Sequence, residues 1–345
     1  MDLLEKLCLE SGVSGFEAPV ASLLQSEFEK SCSEVFEDRF GNLVAVKGSG
    51  DIKIMLAAHM DEIGLMVKHV TEDGYINFVK IGGIDNRALP NQRVIIKSAK
   101  GDVPGLIGSK PPHLMKPEEK KKVVKHDEMF IDIGAKDKKD ALKRIAVGDS
   151  IIFEPNYGCL HKDLYYGKAV DDRVGCYILA EVMKKIPKSL DATVYAVGTT
   201  QEEVGLKGAR VAAYKIDPHY ALAVDTTLAG DMPDVSEKES SLKLGEGPAL
   251  TIMEASGRGV ITHPKLRKVL EDTARKKKIK YQLDVLEGGM TDAAIIYLTR
   301  EGIPSSTISV PTRYIHGCTS VFNMKDVNQS VRLIKQSLSA IAKLK

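Results

Sequence analysis

The sequence predicts an α/β protein carrying a small β-rich insertion, and three observations predict it. Short apolar runs at 52–58, 192–197, 220–224 and 303–310 read as buried strands, and apolar residues recur at helical spacing between them. Between residues 65 and 160 the texture changes to short alternating segments broken by Gly, Pro and Asp, as in consecutive hairpins. A chain of 345 residues is long enough for one large domain with an insertion, or for two domains, and needs no disulfide or metal merely to hold a core.

Taken in order, Leu3, Leu4 and Leu7 open a helix that Gly12-Val13-Ser14-Gly15 ends, and Val20, Leu23, Leu24 and Phe28 mark a second. Residues 35–38 and 43–46 flank Gly41-Asn42 as a hairpin, and 52–58 follow as an apolar strand. Inside the insertion, strands are expected at 64–70, 75–80, 93–97 and 105–108, with a lysine-rich polar loop at 111–125, a short helix in 134–145 and a last strand at 151–153. His113, His126 and His161 in or beside the insertion have no carboxylate partner pattern and read as bystanders. After Lys168, Asp171-Asp172 precedes a helix carrying Ile178, Leu179, Val182 and Met183. One Asp there serves as a cap, which leaves the other free for another task. Strands at 192–197, 220–224, 249–253, 281–285 and 303–310 alternate with helices at 206–214, 264–278, 293–299 and 324–344, and residues 228–247 form a charged loop.

Composition removes several function classes. Lys plus Arg number 49 against 47 Asp plus Glu, a net charge of +2, so no overall field argues for nucleic acid or an anionic membrane. The basic run 275–278 lacks interleaved aromatic residues and suits a helix C-terminus. Five cysteines, with no CxxC pair among them, argue against a fully paired disulfide framework. The N-terminus is an amphipathic helix start rather than a basic segment followed by an apolar one, and no apolar run reaches bilayer-spanning length. The expected location is the cytoplasm, with neither nucleic acid nor membrane as a partner.

The chemistry lies where strands end. His59 follows one apolar run with Asp61 two residues on, Glu202-Glu203 follows a second, Asp225 a third, and His316 lies beyond a fourth, while Asp171 opens a helix. Each has a plainer alternative: a lone histidine is more often structural, a lone Asp caps a helix, and paired glutamates often begin a solvated loop. Such positions converge on one crevice in an open α/β sheet, however, and imidazoles with carboxylates are ligands for zinc and related ions. The ligand count suits two ions sharing a bridging carboxylate. It leaves one glutamate over, suited to take a proton from water.

These residues stand in Ala57-Ala58-His59-Met60-Asp61-Glu62-Ile63-Gly64, Gly167-Lys168-Ala169-Val170-Asp171-Asp172-Arg173, Gln201-Glu202-Glu203-Val204-Gly205, Val224-Asp225 and Arg313-Tyr314-Ile315-His316. In that order and approximate spacing, across essentially the whole chain, the sequence resembles the TET (tetrahedral) glutamyl/leucyl aminopeptidases, a family of cocatalytic dizinc exopeptidases. The resemblance implies that His59, Asp171 and Asp225 hold one divalent ion and that Asp171, Glu203 and His316 hold the other, with zinc or cobalt favoured and manganese also accepted. It implies Glu202 as general base and Asp61 as the catalytic-site residue that orients His59. Glu203 and Asp225 are candidates to receive a substrate α-amine, and Asp292 is a further candidate substrate contact. It also implies a three-layer α/β/α catalytic domain with a mixed sheet, made of residues 1–64 and 161–345. Residues 65–160 would be an inserted β-barrel-like dimerisation domain, and dimers would assemble into a tetrahedral dodecamer. Two positions depart from the family pattern: Gly317-Cys318 follows His316 where Ser-Pro or similar residues are usual, and Met290 stands where a smaller residue is expected.

The function expected from this reading is metal-dependent removal of N-terminal residues from short peptides. Its alternatives are a dinuclear deacylase of N-acyl amino acids, which shares the metal chemistry, and a non-catalytic metal-binding compartment subunit, which leaves Glu202 without a task. A glycosidase working through paired carboxylates would leave the two histidines unexplained.

Overall fold

The computed structural model describes residues 2–344. The chain opens with helices α1 (Leu3–Leu9) and α2 (Ala18–Phe28), followed by strands β1 (Glu34–Glu37), β2 (Leu43–Lys47) and β3 (Lys53–His59). Asp2 caps α1 by accepting the Leu3 N–H, and Pro19 stands in the first turn of α2, where its missing N–H costs nothing. Within β3 the side chains divide between two layers. Ile54, Leu56 and Ala58 join one apolar cluster, while Met55 and Ala57 join another. A strand buried on both faces must be apolar at every position, which is why this segment reads as a continuous run rather than an alternation.

The chain then leaves the sheet. Strands β4 (Gly64–Val70), β5 (Ile76–Ile81), β6 (Arg93–Ser98), β7 (Gly101–Gly108), β8 (Phe130–Asp132) and β9 (Ser150–Phe153) close a barrel in the order β4-β5-β8-β7-β6-β9, with α3 (Lys138–Leu142) preceding β9. All these pairings are antiparallel. Leu65, Val67, Ile76, Phe78, Ile96 and Ile131 belong to a core that is the barrel's own, and closure leaves no open sheet edge. The lysine-rich stretch 111–125 forms only 3-10 turns, Pro112–Leu114 and Glu119–Lys121, and its lysines are exposed.

Beyond the barrel come β10 (Tyr157–His161), β11 (Leu164–Gly167), α4 (Val170–Lys185), β12 (Thr193–Thr199), α5 (Lys207–Ile216), β13 (Tyr220–Leu228) and β14 (Ala249–Met253). The chain finishes with α6 (Pro264–Lys277), β15 (Gln282–Val285), α7 (Ala293–Ile296), β16 (Ser305–Arg313), β17 (Ser320–Asn323) and α8 (Met324–Ile341). The large sheet runs β1-β2-β12-β3-β13-β16-β17-β11-β10, with β14 pairing β16 and β15. Its centre, β12-β3-β13-β16, is parallel, and its margins add antiparallel strands, so the sheet is mixed. Helices α4, α6 and α8 pack together on one face, and α5 and α7 lie on the other, which makes three layers.

The domain boundary drawn after residue 160 falls inside the large sheet: β10 pairs with β11, not with the barrel, and the last barrel strand ends at Phe153. Strands β10, β11 and β17 lie outside the elements expected from sequence, because they are short, β10 is largely exposed and β11 is mostly half-buried. No helix among the described residues is long and apolar enough to cross a membrane.

What positions the site is the neighbourhood of β3. The chain places β12 on one side of it and then crosses to place β13 on the other, a reversal that opens a crevice at the carboxyl ends of the strands. The register sets His59 beside Thr199. With Ala223 beside Ala57, two residues further along each strand brings Asp225 level with His59.

Candidate metal centre and active site

His59 closes β3 and is buried. Its Nδ1 lies 3.1 Å from the Asp61 carbonyl oxygen. A proton donated there leaves Nε2 with its lone pair facing Asp171 Oδ1 at 3.1 Å. Asp61 does more than was expected of it. Its carboxylate, 3.4 Å from His59 Nδ1, accepts the backbone N–H groups of Glu202 at 3.0 Å and Glu203 at 3.1 Å, and the Ser14 hydroxyl at 2.6 Å. One buried carboxylate thus fixes the imidazole and both glutamates to one another.

The two aspartates divide their tasks. Asp172 caps α4 by accepting the Gly175 N–H at 2.9 Å through Oδ1, and its Oδ2 accepts the His59 N–H at 3.2 Å. The Asp171–Asp172 peptide is cis, and both residues have non-helical backbone angles. Asp171 lines the cleft, where its Oδ1 faces His59 and its Oδ2 lies 3.6 Å from His316 Nε2. His316 Nε2 is also 3.6 Å from Glu203 Oε2, and Asp225 Oδ1 is 3.9 Å from His59 Nε2.

Ligand atoms around a tetrahedral zinc, each about 2.0 Å from the ion, lie about 3.3 Å apart. In both triads, His59-Asp171-Asp225 and Asp171-Glu203-His316, the histidine-to-carboxylate distances of 3.1–3.9 Å approach that spacing. Among the described residues, the groups of three whose ligand atoms all fall within 4.8 Å of one another are drawn differently: His59-Asp171-Glu203 and His59-Asp172-Asp225. Asp172 is fully buried and outside the cleft lining, so Asp171 is the aspartate that faces the opening. Among the described residues, the ion pairs of Asp171, Glu203 and Asp225 are with the two histidines alone. A group of buried carboxylates with no Lys or Arg to balance it fits divalent cations.

Charge in the metal-free chain tells the same story. Burial, reinforced by Asp171, pushes Glu203 up to about 7. Burial likewise raises Glu202 and, with Asp171 and Asp172 adding to it, Asp225 well above the carboxylate range. Burial opposes charge on His59, but Glu202, Asp171 and Asp61 outweigh it and hold the imidazolium well above its usual pKa. Protons therefore stand in for cations, and cations must displace them. Metal uptake near neutral pH is expected to release protons, with affinity rising about tenfold per pH unit for each proton displaced. Titration calorimetry in buffers of different ionisation enthalpy measures this, and pH-independent uptake without proton release would contradict it. Folding raises the Glu203 pKa, so its contribution to stability is complete below about 4.5 and is lost as pH rises through about 7.

The cluster floors a cleft of about 520 Å³ whose walls include Leu228, Leu286, Met290 and Ile315. Two expectations change here. Asp292, expected at the substrate, is buried outside the cleft lining, accepts the Thr199 hydroxyl at 2.5 Å and is pushed up to about 6 by burial. Cys318 packs against the barrel core rather than the cleft, so the Gly317-Cys318 departure does not alter the wall.

A model of the M42 glutamyl aminopeptidase family matches residues 41–333. The chain belongs to the M42 peptidase family. A lysyl aminopeptidase of Pyrococcus furiosus is 32% identical over 345 residues, covering 99% of this chain and 97% of the relative. Among solved structures, an aminopeptidase from the archaeon Desulfurococcus kamchatkensis superposes with a TM-score of 0.94 at 40% identity, over 98% of this chain and 94% of that one. The TET1 peptidase of Pyrococcus horikoshii, described as assembling into a tetrahedron or a large octahedral shell, gives 0.88 at 33% identity over 97% of both chains. Membership of the M42 family makes this protein a peptide-bond hydrolase.

In this M42 peptidase a buried charge network lies behind the cleft that sequence reading did not resolve. Glu62 accepts Lys168 Nζ at 2.8 and 2.9 Å, the Gly12 N–H at 3.0 Å and Arg173 at 3.4 Å, and none of the three charged side chains is more than 3% exposed. Lys168 and Arg173 also donate to the Glu10 carbonyl, and Arg173 to that of Leu7, both at the end of α1. The network joins the residue after Asp61 to residues on both sides of Asp171. The repeated presence of charge inside motifs otherwise bound for the core was the available signal.

Proposed function

We propose that this M42 peptidase removes N-terminal residues from short peptides at a pair of divalent ions, with Glu202 as the general base. The observation that carries the reading is the bidentate placement of Asp171, one oxygen toward His59 and the other toward His316. His59, Asp171 and Asp225 would hold one ion and Asp171, Glu203 and His316 the other. Ions bound there would acidify water and polarise the scissile carbonyl. Zinc and cobalt suit the imidazole and carboxylate set best, and manganese is also compatible.

Glu202 lies outside both triads, with its Oε2 3.9 Å from His59 Nε2 and its backbone tied to Asp61. Its buried carboxylate takes the proton from the attacking water and returns it to the leaving amine. Glu203 and Asp225 present negative charge to the free α-amine of the peptide, which favours a substrate with an unblocked N-terminus. We propose further that the barrel is a dimerisation domain and that dimers assemble into a tetrahedral dodecamer in the cytoplasm. The shells described for the Pyrococcus horikoshii relative support the assembly.

The shared carboxylate makes a stoichiometric prediction. Asp171→Ala is expected to lose both ions, whereas Asp225→Ala and His316→Ala each lose one, as read by elemental analysis after desalting. Retention of a full pair by the Asp171 variant would overturn the bridged arrangement.

A further inference from the structure

We infer that this peptidase selects neutral, apolar N-terminal side chains of leucine or methionine size, and that Met290 is the specificity-determining wall of the cleft. The inference rests on the aminopeptidase reading above. Six charged side chains line the cleft, His59, Asp171, Glu202, Glu203, Asp225 and His316, and all are committed to the proposed ions, to the base or, in Glu203 and Asp225, also to the substrate α-amine. Among the described residues no Lys or Arg lines it, so a glutamyl side chain would meet only carboxylates and imidazoles already engaged. A lysyl side chain would likewise have to compete with the ions and with the substrate's own α-amine for its partner. A charge buried without a partner is strongly disfavoured, whereas an apolar side chain is favoured by leaving water.

The remaining walls suit an apolar side chain. Leu206, Leu228, Leu286, Met290 and Ile315 face the cleft, and Leu228 and Met290 remain 44% and 49% exposed. Large apolar side chains left open around a concavity are what a ligand covers. The neighbouring hydroxyls of Thr227 and Thr291 are already occupied, donating to Asp284 at 2.8 Å and to Glu254 at 2.6 Å, and so are not held ready for a polar side chain.

Met290 is placed by fixed neighbours. The Leu286 N–H donates to the Met253 carbonyl at 2.9 Å, and Leu286 accepts the Ser256 N–H at 3.1 Å. On the other side, buried Glu254 holds Thr291 through its hydroxyl and its N–H, and also accepts the Thr307 hydroxyl at 2.9 Å. Between these anchors Gly288 and Gly289 have open space where a side chain would stand. An unbranched thioether in that position adapts to side chains of differing shape.

The test compares kcat/KM of the assembled, ion-loaded enzyme on leucyl, methionyl, glutamyl and lysyl 4-nitroanilides. Leucyl and methionyl substrates are expected to exceed both charged ones by about tenfold or more. Met290→Lys supplies the missing cation at an exposed position, and is expected to raise the glutamyl-to-leucyl ratio by about tenfold with ion content unchanged. A merely structural defect would lower all four rates together and leave that ratio where it was. A charged substrate matching leucyl in the unaltered enzyme, or an unmoved ratio in Met290→Lys, would overturn the inference while leaving the aminopeptidase reading intact. Cleavage of none of the four would overturn both.

Discussion

Glu202→Gln is expected to bind both ions as the parent does and to lower kcat by about 10²- to 10⁴-fold. The amide keeps the size and the backbone tether of the glutamate, whose N–H is held by Asp61 at 3.0 Å, but it carries no proton between water and leaving group. Because Glu202 belongs to neither ligand triad, the loss should fall on kcat with KM little changed, the mark of an interaction made in the transition state. Glu203→Gln separates the two neighbours: that variant should lose an ion, since Glu203 Oε2 faces His316 at 3.6 Å. Steady-state kinetics with parallel elemental analysis distinguishes the cases. A near-native rate for Glu202→Gln would remove that residue from the mechanism.

The second large effect is on stability. Glu62→Ala leaves Lys168 and Arg173 buried without their carboxylate, and unpairing buried charges costs about 3–5 kcal/mol. Burial already pulls the Lys168 pKa down despite Glu62, so the ammonium is least tolerable once that partner is gone. The cost should be felt in the site as well, because Glu62 follows Asp61 while Lys168 and Arg173 flank Asp171. Denaturant unfolding of the metal-free and metal-loaded forms measures both consequences. A change below about 1 kcal/mol would show that the network adds nothing beyond an exposed ion pair.

Much of the site was legible because its residues sit where strong local signals change. His59 and Asp225 each fall at the end of an apolar run, Glu202-Glu203 lies a few residues beyond another, and an apolar run is readable without tertiary information. The spare-aspartate argument at Asp171-Asp172 was legible for a similar reason, since a helix start needs one cap. What stayed hidden depends on contacts across the chain. The Asp61 carboxylate holds amides 141 and 142 residues away, and Glu62 meets Lys168 106 residues on, so neither partner is marked by local pattern. Asp292 is expected as a substrate contact, but its loop folds the carboxylate inward onto Thr199, a contact 93 residues away in the chain. In the fold, the barrel was visible as a change of texture. Its far boundary was not, because Tyr157–His161 is exposed and polar enough to resemble more of the insertion.

On this reading the cleft cleaves the peptide bond next to a free N-terminus by means of bound divalent ions. One measurement addresses it most directly: hydrolysis of a short leucyl peptide and of its N-acetylated counterpart by the same preparation, before chelation, after chelation, and after zinc or cobalt is restored. Cleavage of the free-amine peptide alone is expected, lost on chelation and recovered with the ion. Equal or faster hydrolysis of the acetylated peptide, or activity indifferent to the chelator, would contradict it.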